Sequence, residues 1–320
     1  MSTNQQLTIN QVRAAVLGLA VGDALGVPVE FLTRTHLNTN PVIDMRGHGT
    51  HDQPAGTWSD DTSLTLCLMH SLSNGLNWQD QAAKFRQWKM DDLWTPHGQV
   101  FDIGTTTSRA IANYRAVDDP RLAGPNDQYS NGNGSLMRIL PMGLYFAHAD
   151  SKTRIELAMQ ASCLTHRHIR SQLACGFYVE LVAHLVQGES ITDALVDVQQ
   201  VFAQIIEEQY FQERMTFTRV LDDQLGACHR DEIPSSGYVM DTLAASLWCC
   251  LNAQSYEQAV LTAVNLGNDT DTTAAVAGGL AGLVYGIDAI PKTWLTKLAK
   301  RDQIEKLCLQ FHHACINQPA

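Results

Sequence analysis

Along SITDALVDVQQVFAQII (190–206), apolar side chains fall at 191, 194/195, 198, 201/202 and 205/206, the spacing of one helix face. Ser190 precedes that run and Asp193 stands three residues on, where an N-cap and its partner belong. SYEQAV repeats the device with Ser255 and Gln258. The same reading predicts helices over 8–21, 62–73, 78–90, 105–114, 134–147, 152–165, 168–187, 238–252, 271–285 and 291–314. Sustained two-residue alternation is missing, so no strand is predicted. Gly, Pro and Asn cluster at 38–57, 95–99 and 123–134, in loops too short to mark a domain boundary. No period of about 20–50 residues repeats. The expectation is one all-α domain spanning residues 1–320.

Composition narrows the partners. With 320 residues, 45% of them hydrophobic, the chain can bury a large core. A formal net charge of −11 argues against nucleic acid or an anionic membrane surface. Eight cysteines are scattered without a CxxC pair, which is neither a zinc pattern nor a disulfide framework. They are expected to be reduced thiols in a cytoplasmic protein. The first twelve residues carry no Lys or Arg, and the apolar stretch from Ala14 is broken at Gly22–Asp23. No segment is expected to reach the roughly 18 apolar residues of a membrane span.

Two acidic stretches carry the candidate chemistry. In GTWSDDTSLTL, Ser59, Asp60 and Asp61 precede an apolar helix. In GNDTDTTAAVAGGLAG, Asp269, Asp271 and Thr272 precede a run of Ala, Gly and Val. Each alone reads equally well as helix capping, since Ser and Asp are preferred N-caps and acids favour the first turn. Together they raise a second reading. If the two helices pack side by side, four carboxylates converge in a low-dielectric place, which demands compensating cations. Oxygen ligands of this type suit hard ions, Mg²⁺ or Mn²⁺, and two would balance four carboxylates.

Other stretches add donors and an acid. In GLAVGDALGVPVEF, Asp23 interrupts an apolar run and Glu30 follows Pro28; Glu30 is either a solvated loop acid or a base held near the metals. FDIGTTTSRAI offers Asp102 and a helix start at Gly104, and NGNGSLMRILPMG a glycine turn from Asn131 to Ser135. Such helix starts can cradle phosphate oxygens, though glycine turns are also common. LTHRH offers His166, and SGYVMDTLAASLW offers Tyr238 at a helix start.

In their order along the chain, from GLAVGDALGVPVEF to GNDTDTTAAVAGGLAG, these motifs resemble the ADP-ribosylglycohydrolase family, the enzymes similar to the dinitrogenase-reductase-activating glycohydrolase, over about residues 12–286. The resemblance implies a compact orthogonal bundle of a dozen or more helices around a cleft with two Mg²⁺ or Mn²⁺ ions. It implies metal ligands at Ser59, Asp60, Asp61, Asp269, Asp271 and Thr272. Glu30 would stand beside the metals and the scissile bond, where it, or Asp60 or Asp61 through water, would act as the base. Asp102, Gly104, Asn133, Gly134, Ser135 and His166 would face ADP-ribose, with Tyr238 near the adenine. The implied activity is hydrolysis of the bond between ADP-ribose and a protein side chain, arginine first and serine or another O-linkage second. A non-catalytic ADP-ribose-binding relative is the remaining alternative, and a monomer the simplest assembly. Ser59 stands where many members have Thr, which keeps the hydroxyl.

Two other enzyme classes are set aside. A terpenoid synthase needs DDxxD and a second motif ending in Glu, but Leu64 and Val276 occupy those places. An HD-type phosphohydrolase would use His51–Asp52, but that pair lies in a Gly/Pro-rich loop.

Overall fold

In the computed structural model, which describes residues 6–318, the first apolar run forms one helix, α1 (Ile9–Gly26), instead of ending at 21. Asp23 does not break it, because its carboxylate leaves the helix to bond elsewhere while its carbonyl accepts from Val27 N–H. The capping box at Thr8 and Gln11 fixes its start. Contrary to the expectation from sequence, Ile9–Val29 is long and apolar enough to cross a membrane, with mean hydropathy 1.6. Its most apolar 18-residue window is nevertheless 94% buried inside the protein. The expectation ended the apolar run at Gly22–Asp23, but the helix continues through both residues to Gly26, with Asp23 buried.

The chain continues through α2 (Arg34–Thr39), α3 (Asp60–Leu72), α4 (Trp78–Asp91), α5 (Thr105–Asn113) and α6 (Leu140–Tyr145). Then come α7 (Ser151–Cys163), α8 (Ile169–Val186), α9 (Ile191–Gln209), α10 (Arg214–Phe217) and α11 (Val239–Leu251). The last four are α12 (Tyr256–Val264), α13 (Thr270–Tyr285), α14 (Lys292–Lys297) and α15 (Arg301–Ile316). The fold is all-α. Among the described residues the extended pairings are two isolated bridges, His48 with Gln53 and Gly132 with Tyr238.

Two helices came out shorter than their patterns suggest. The 134–147 segment is helical over α6 alone, because Pro141 lacks an N–H and is tolerated only in a first turn. The 291–314 segment splits at residues 298–300, where Lys300 takes φ of +51°. Ala299 uses the break to donate to Gly56 O and to accept from the Trp58 indole, which ties the segment before α3 in place. The short helices α2 and α10 are too brief for periodicity to reveal.

Helix α13 is the axis. Its Ala/Gly surface is thin enough that neighbours reach its carbonyls: Tyr178 Oη donates to Val276 O and Ser246 Oγ to Thr273 O. Against α1 it packs almost backbone to backbone. A Cβ at Gly26 would lie 2.3 Å from Asp271 Cα, and at Gly282 2.1 Å from Ala14 O. This contact sets the end of α1 beside the start of α13, where Asp271 sits.

Candidate active site

At the start of α3, the capping work falls to residues other than the two adjacent acids. Asp23, reaching across from α1, accepts from Ser59 N–H at 2.9 Å, from Thr62 N–H at 3.0 Å and from Thr62 Oγ1 at 2.6 Å. Ser59 Oγ accepts from Asp61 N–H at 3.3 Å. At the start of α13, Asp269 occupies the N-cap position yet makes no side-chain capping bond. The capping reading therefore explains Asp23 and Ser59 but leaves Asp60, Asp61 and Asp269 free for something else.

The two acidic segments do meet. Thr272 Oγ1 lies 3.3 Å from Asp61 Oδ2, and Ser59 Oγ donates to the same oxygen at 3.1 Å. Glu30, Asp269 and Asp271 each bring one carboxylate oxygen within 4.8 Å of the others. Asp60 faces Asp102 and the Gly104 N–H at the start of α5. Burial, and then their neighbours, raise Asp60, Asp61 and Asp271 well above the usual carboxylate range. Burial also raises Asp269 and Asp102, and takes Asp23 to about 6. So many acids in one buried place need a counter-charge.

The donors fit a hard divalent cation. Asp61 Oδ1 and Asp269 Oδ1 are buried and have no hydrogen-bond partner among the described residues. An orphaned carboxylate oxygen of this kind is costly unless an ion takes it. Every polar atom offered by Ser59, Asp60, Asp61, Asp269, Asp271 and Thr272 is oxygen, the chemistry of Mg²⁺ or Mn²⁺ sites.

Glu30 sits on the next turn after α1. His51 Nε2 bonds its carboxylate, and Thr50 Oγ1 donates to its carbonyl at 2.7 Å. Burial pushes the Glu30 carboxyl up to about 7, with Asp102 and Asp269 adding to the rise and His51 opposing it. His51 is itself raised, chiefly by the bond to Glu30. Both residues reach Glu30 because Gly49, at φ +70°, lets the 49–51 turn press on Pro28, whose carbonyl would be 1.9 Å from any Cβ there. Glu30, His51 and Asp102 form a second triplet within 4.8 Å. The sequence named His51 only within the His51–Asp52 pair set aside above, and gave no sign of Thr50 beyond the Gly49 turn.

A third wall is built around the glycine turn. Asn133 Nδ2 donates to Asp269 Oδ2 at 2.7 Å and to Thr242 Oγ1 at 2.8 Å, so it braces one carboxylate of the acidic cluster. Its N–H donates to Gly237 O, and Gly132 bridges Tyr238, which stitches the turn to the start of α11. Gly134 lies between α5 and His166: a Cβ there would be 2.8 Å from His166 Cε1 and 3.1 Å from Thr107 Oγ1. His166 is buried, and burial followed by the Arg138 charge lowers it to about 3, so the ring is neutral. Tyr238 is half-buried beside Arg170. Ser135 differs from expectation: its hydroxyl faces the core, accepting from Ser162 Oγ at 2.8 Å and Cys175 Sγ at 3.4 Å. It supports the turn from behind. A roomier groove of about 540 Å³ between α7 and α9 contains none of these residues.

The chain matches the family described as ADP-ribosylglycohydrolase over residues 4–320. It is 33% identical to ADP-ribosylarginine hydrolase Tri1 of Serratia proteamaculans, covering 96% of this chain and 80% of that one. It is 31% identical to the ADP-ribosyl-[dinitrogen reductase] glycohydrolase of Rhodospirillum rubrum, covering 89% and 88%. A solved structure titled "ADP-ribosylglycohydrolase-related protein complex" superimposes with a TM-score of 0.76 at 32% identity, covering 96% and 98%.

Proposed function

This chain belongs to the ADP-ribosylglycohydrolase family, and on that premise we propose that it hydrolyses the bond joining ADP-ribose to a modified protein side chain, with arginine as the acceptor. The observation that carries the reading is the meeting of Asp61 and Thr272 at 3.3 Å, with orphaned oxygens on Asp61 and Asp269 beside it. The arginine linkage rests on the Serratia relative, which is named for ADP-ribosylarginine. Serine- or other O-linked ADP-ribose is the second substrate class.

Ser59, Asp60, Asp61, Asp269, Asp271 and Thr272 would hold two divalent ions, which would supply positive charge for the ribose hydroxyls and lower the pKa of nearby water. The chain's own residues do the rest. Asn133 keeps Asp269 oriented, and the glycine turn with His166 and the start of α5 offer N–H donors to the diphosphate. Glu30 accepts a proton from the attacking water, whose oxygen bonds to the anomeric carbon. The glycosidic bond breaks, and the leaving guanidine nitrogen takes up the proton that Glu30 received, which returns Glu30 to its carboxylate. The carbon passes through an oxocarbenium-like state, as in other glycoside hydrolysis. A carboxyl raised to about 7 exchanges protons readily at neutral pH, which suits this work.

The reading takes the chain as one domain around a continuous core, acting as a monomer. Its eight free thiols suit a reducing compartment such as the cytoplasm. The test is release of ADP-ribose from an arginine-modified protein in Mg²⁺ or Mn²⁺. Asp271→Ala should abolish release without unfolding the chain. Full activity in that variant, or in excess EDTA, overturns the proposal; tight ADP-ribose binding with no release in the wild type leaves the non-catalytic alternative standing.

A further inference from the structure

Beside the acidic cluster, Phe31, His51 and Phe101 stand in a row. Their ring centroids are 6.1 Å and 5.3 Å apart, tilted by 58° and 56°. Phe31 is 66% exposed, so burial does not account for it. It also holds φ of +65°, a conformation that costs any residue with a Cβ and is rare for a bulky one. The strain is imposed from both sides. Phe31 N–H donates to Asn268 O at 2.6 Å, and Asn268 N–H returns a bond to Leu32 O at 2.8 Å. Asn268 itself sits at φ +63°, one residue before Asp269. The chain thus spends two left-handed residues to hold an aromatic ring in solvent, between Glu30 and the loop that delivers Asp269. One carboxylate oxygen each of Glu30 and Asp102 lies within 4.8 Å of a ring nitrogen of His51, the middle member of the row.

We propose that Phe31 and Phe101, backed by Asp102, form the seat of the acceptor guanidinium and so make this rim the determinant of arginine linkage. The inference rests on the hydrolase reading above. A guanidinium is planar and cationic: its faces stack on aromatic rings and its edge donates to carboxylates. Both features are present here on adjoining sides of one rim. The linked nitrogen must lie at the scissile bond, next to Glu30, and the remaining guanidinium then extends outward over the exposed ring. A serine acceptor has no planar face and no charge, so the row offers it nothing.

The test uses the full-length enzyme with its divalent ion and a small ADP-ribosylarginine substrate. Phe31→Ala and Phe31→Gly should each raise KM about tenfold with kcat within about twofold, while Phe31→Trp keeps the wild-type KM. Glycine relieves the positive φ, so a rise in both variants separates loss of the ring from loss of the fold. The Kd for free ADP-ribose, which lacks the guanidinium, should stay within about twofold in all three. An unchanged KM in the Ala and Gly variants of an enzyme that cleaves arginine linkages overturns this inference and leaves the hydrolase reading intact. A wild type that releases ADP-ribose from serine but not arginine overturns the arginine assignment, and the seat with it.

Discussion

Thr272 Oγ1 lies 3.3 Å from Asp61 Oδ2, although 211 residues of chain separate them. Neither side chain spends its oxygen on a distant helix cap, and the contact joins the start of α13 to the start of α3. The site is therefore a joint between two helix ends, stable only when its negative charge is met.

That charge makes stability depend on metal in a way that mutation can reverse. In EDTA, Asp61→Asn or Asp269→Asn should melt above the wild type, because each removes one buried charge from the cluster. With Mg²⁺ or Mn²⁺ at a hundredfold excess over Kd, the wild type should gain about 2.7 kcal/mol and overtake both variants. Thermal melts with and without chelator check this. A wild-type melting point indifferent to EDTA would remove the basis for a cation site.

Much of this was legible in the chain because helix ends announce themselves chemically. Ser59–Asp61 and Asp269–Thr272 lie within or beside the first turns of α3 and α13, as the acidic and apolar patterns predicted. What stayed hidden was set by contacts that leave no local period. Asp23 reads as a helix breaker but acts as the cap of another helix 36 residues on. His51 lies in the short Gly49–His51 turn, where its His–Asp dipeptide points to the wrong chemistry, and its role depends on Gly49 meeting Pro28. Ser135 shares a turn with Asn133 yet points the other way, which spacing alone does not reveal.

Gly26 carries the link between packing and site. Alanine there would place a Cβ 2.3 Å from Asp271 Cα and 2.4 Å from Asp271 N, both backbone atoms that cannot swing aside. Gly282→Ala makes a comparable clash, 2.1 Å from Ala14 O, at the opposite end of the same helix pair. Each should cost about 1–3 kcal/mol in chemical denaturation. Only Gly26→Ala should also lower kcat, by about 100-fold, because it displaces Asp271. Equal kcat values in the two variants would detach the helix contact from catalysis.

A separate acid sensitivity lies between α7 and α8. Arg154 Nε and Nη2 donate to the two Glu180 oxygens at 2.8 and 3.1 Å, and both side chains are buried. Burial alone would raise the Glu180 carboxyl; bonds from His184 and Arg154 outweigh it and hold it at about 2. A folded value below the unfolded one stabilises above pH 4.5 and is lost as pH falls toward 2. The drop is about 3 kcal/mol. Denaturant unfolding from pH 5 to 2.5 should therefore fall more steeply for wild type than for Glu180→Gln. Parallel slopes would mean that the pair does not titrate with unfolding.

The protonation of His166 follows from a buried charge that has no acid partner among the described residues. Arg138 is fully buried, 4.6 Å over the Phe85 ring, and its Nη2 donates to Thr165 Oγ1 at 2.8 Å and Ala161 O at 3.2 Å. A guanidinium has no lone pair to offer, so Thr165 Oγ1 accepts there and its own hydrogen goes to His166 Nδ1 at 2.9 Å. The ring hydrogen then sits on Nε2, the nitrogen that a Cβ at Gly134 would approach to 3.2 Å. Because the group is lowered to about 3, that N–H remains a neutral donor toward the turn across the working pH range. Nitrogen-15 spectra of the ring should show the Nε2–H form unchanged from pH 8 to about 4.5. Thr165→Val should mix the two tautomers, since Nδ1 loses its donor. His166→Ala should weaken ADP-ribose binding about tenfold, and His166→Gln, which keeps an N–H at that reach, should recover part of it. A ring that gains its second proton between pH 5 and 7 would break this chain at the Thr165 hydroxyl.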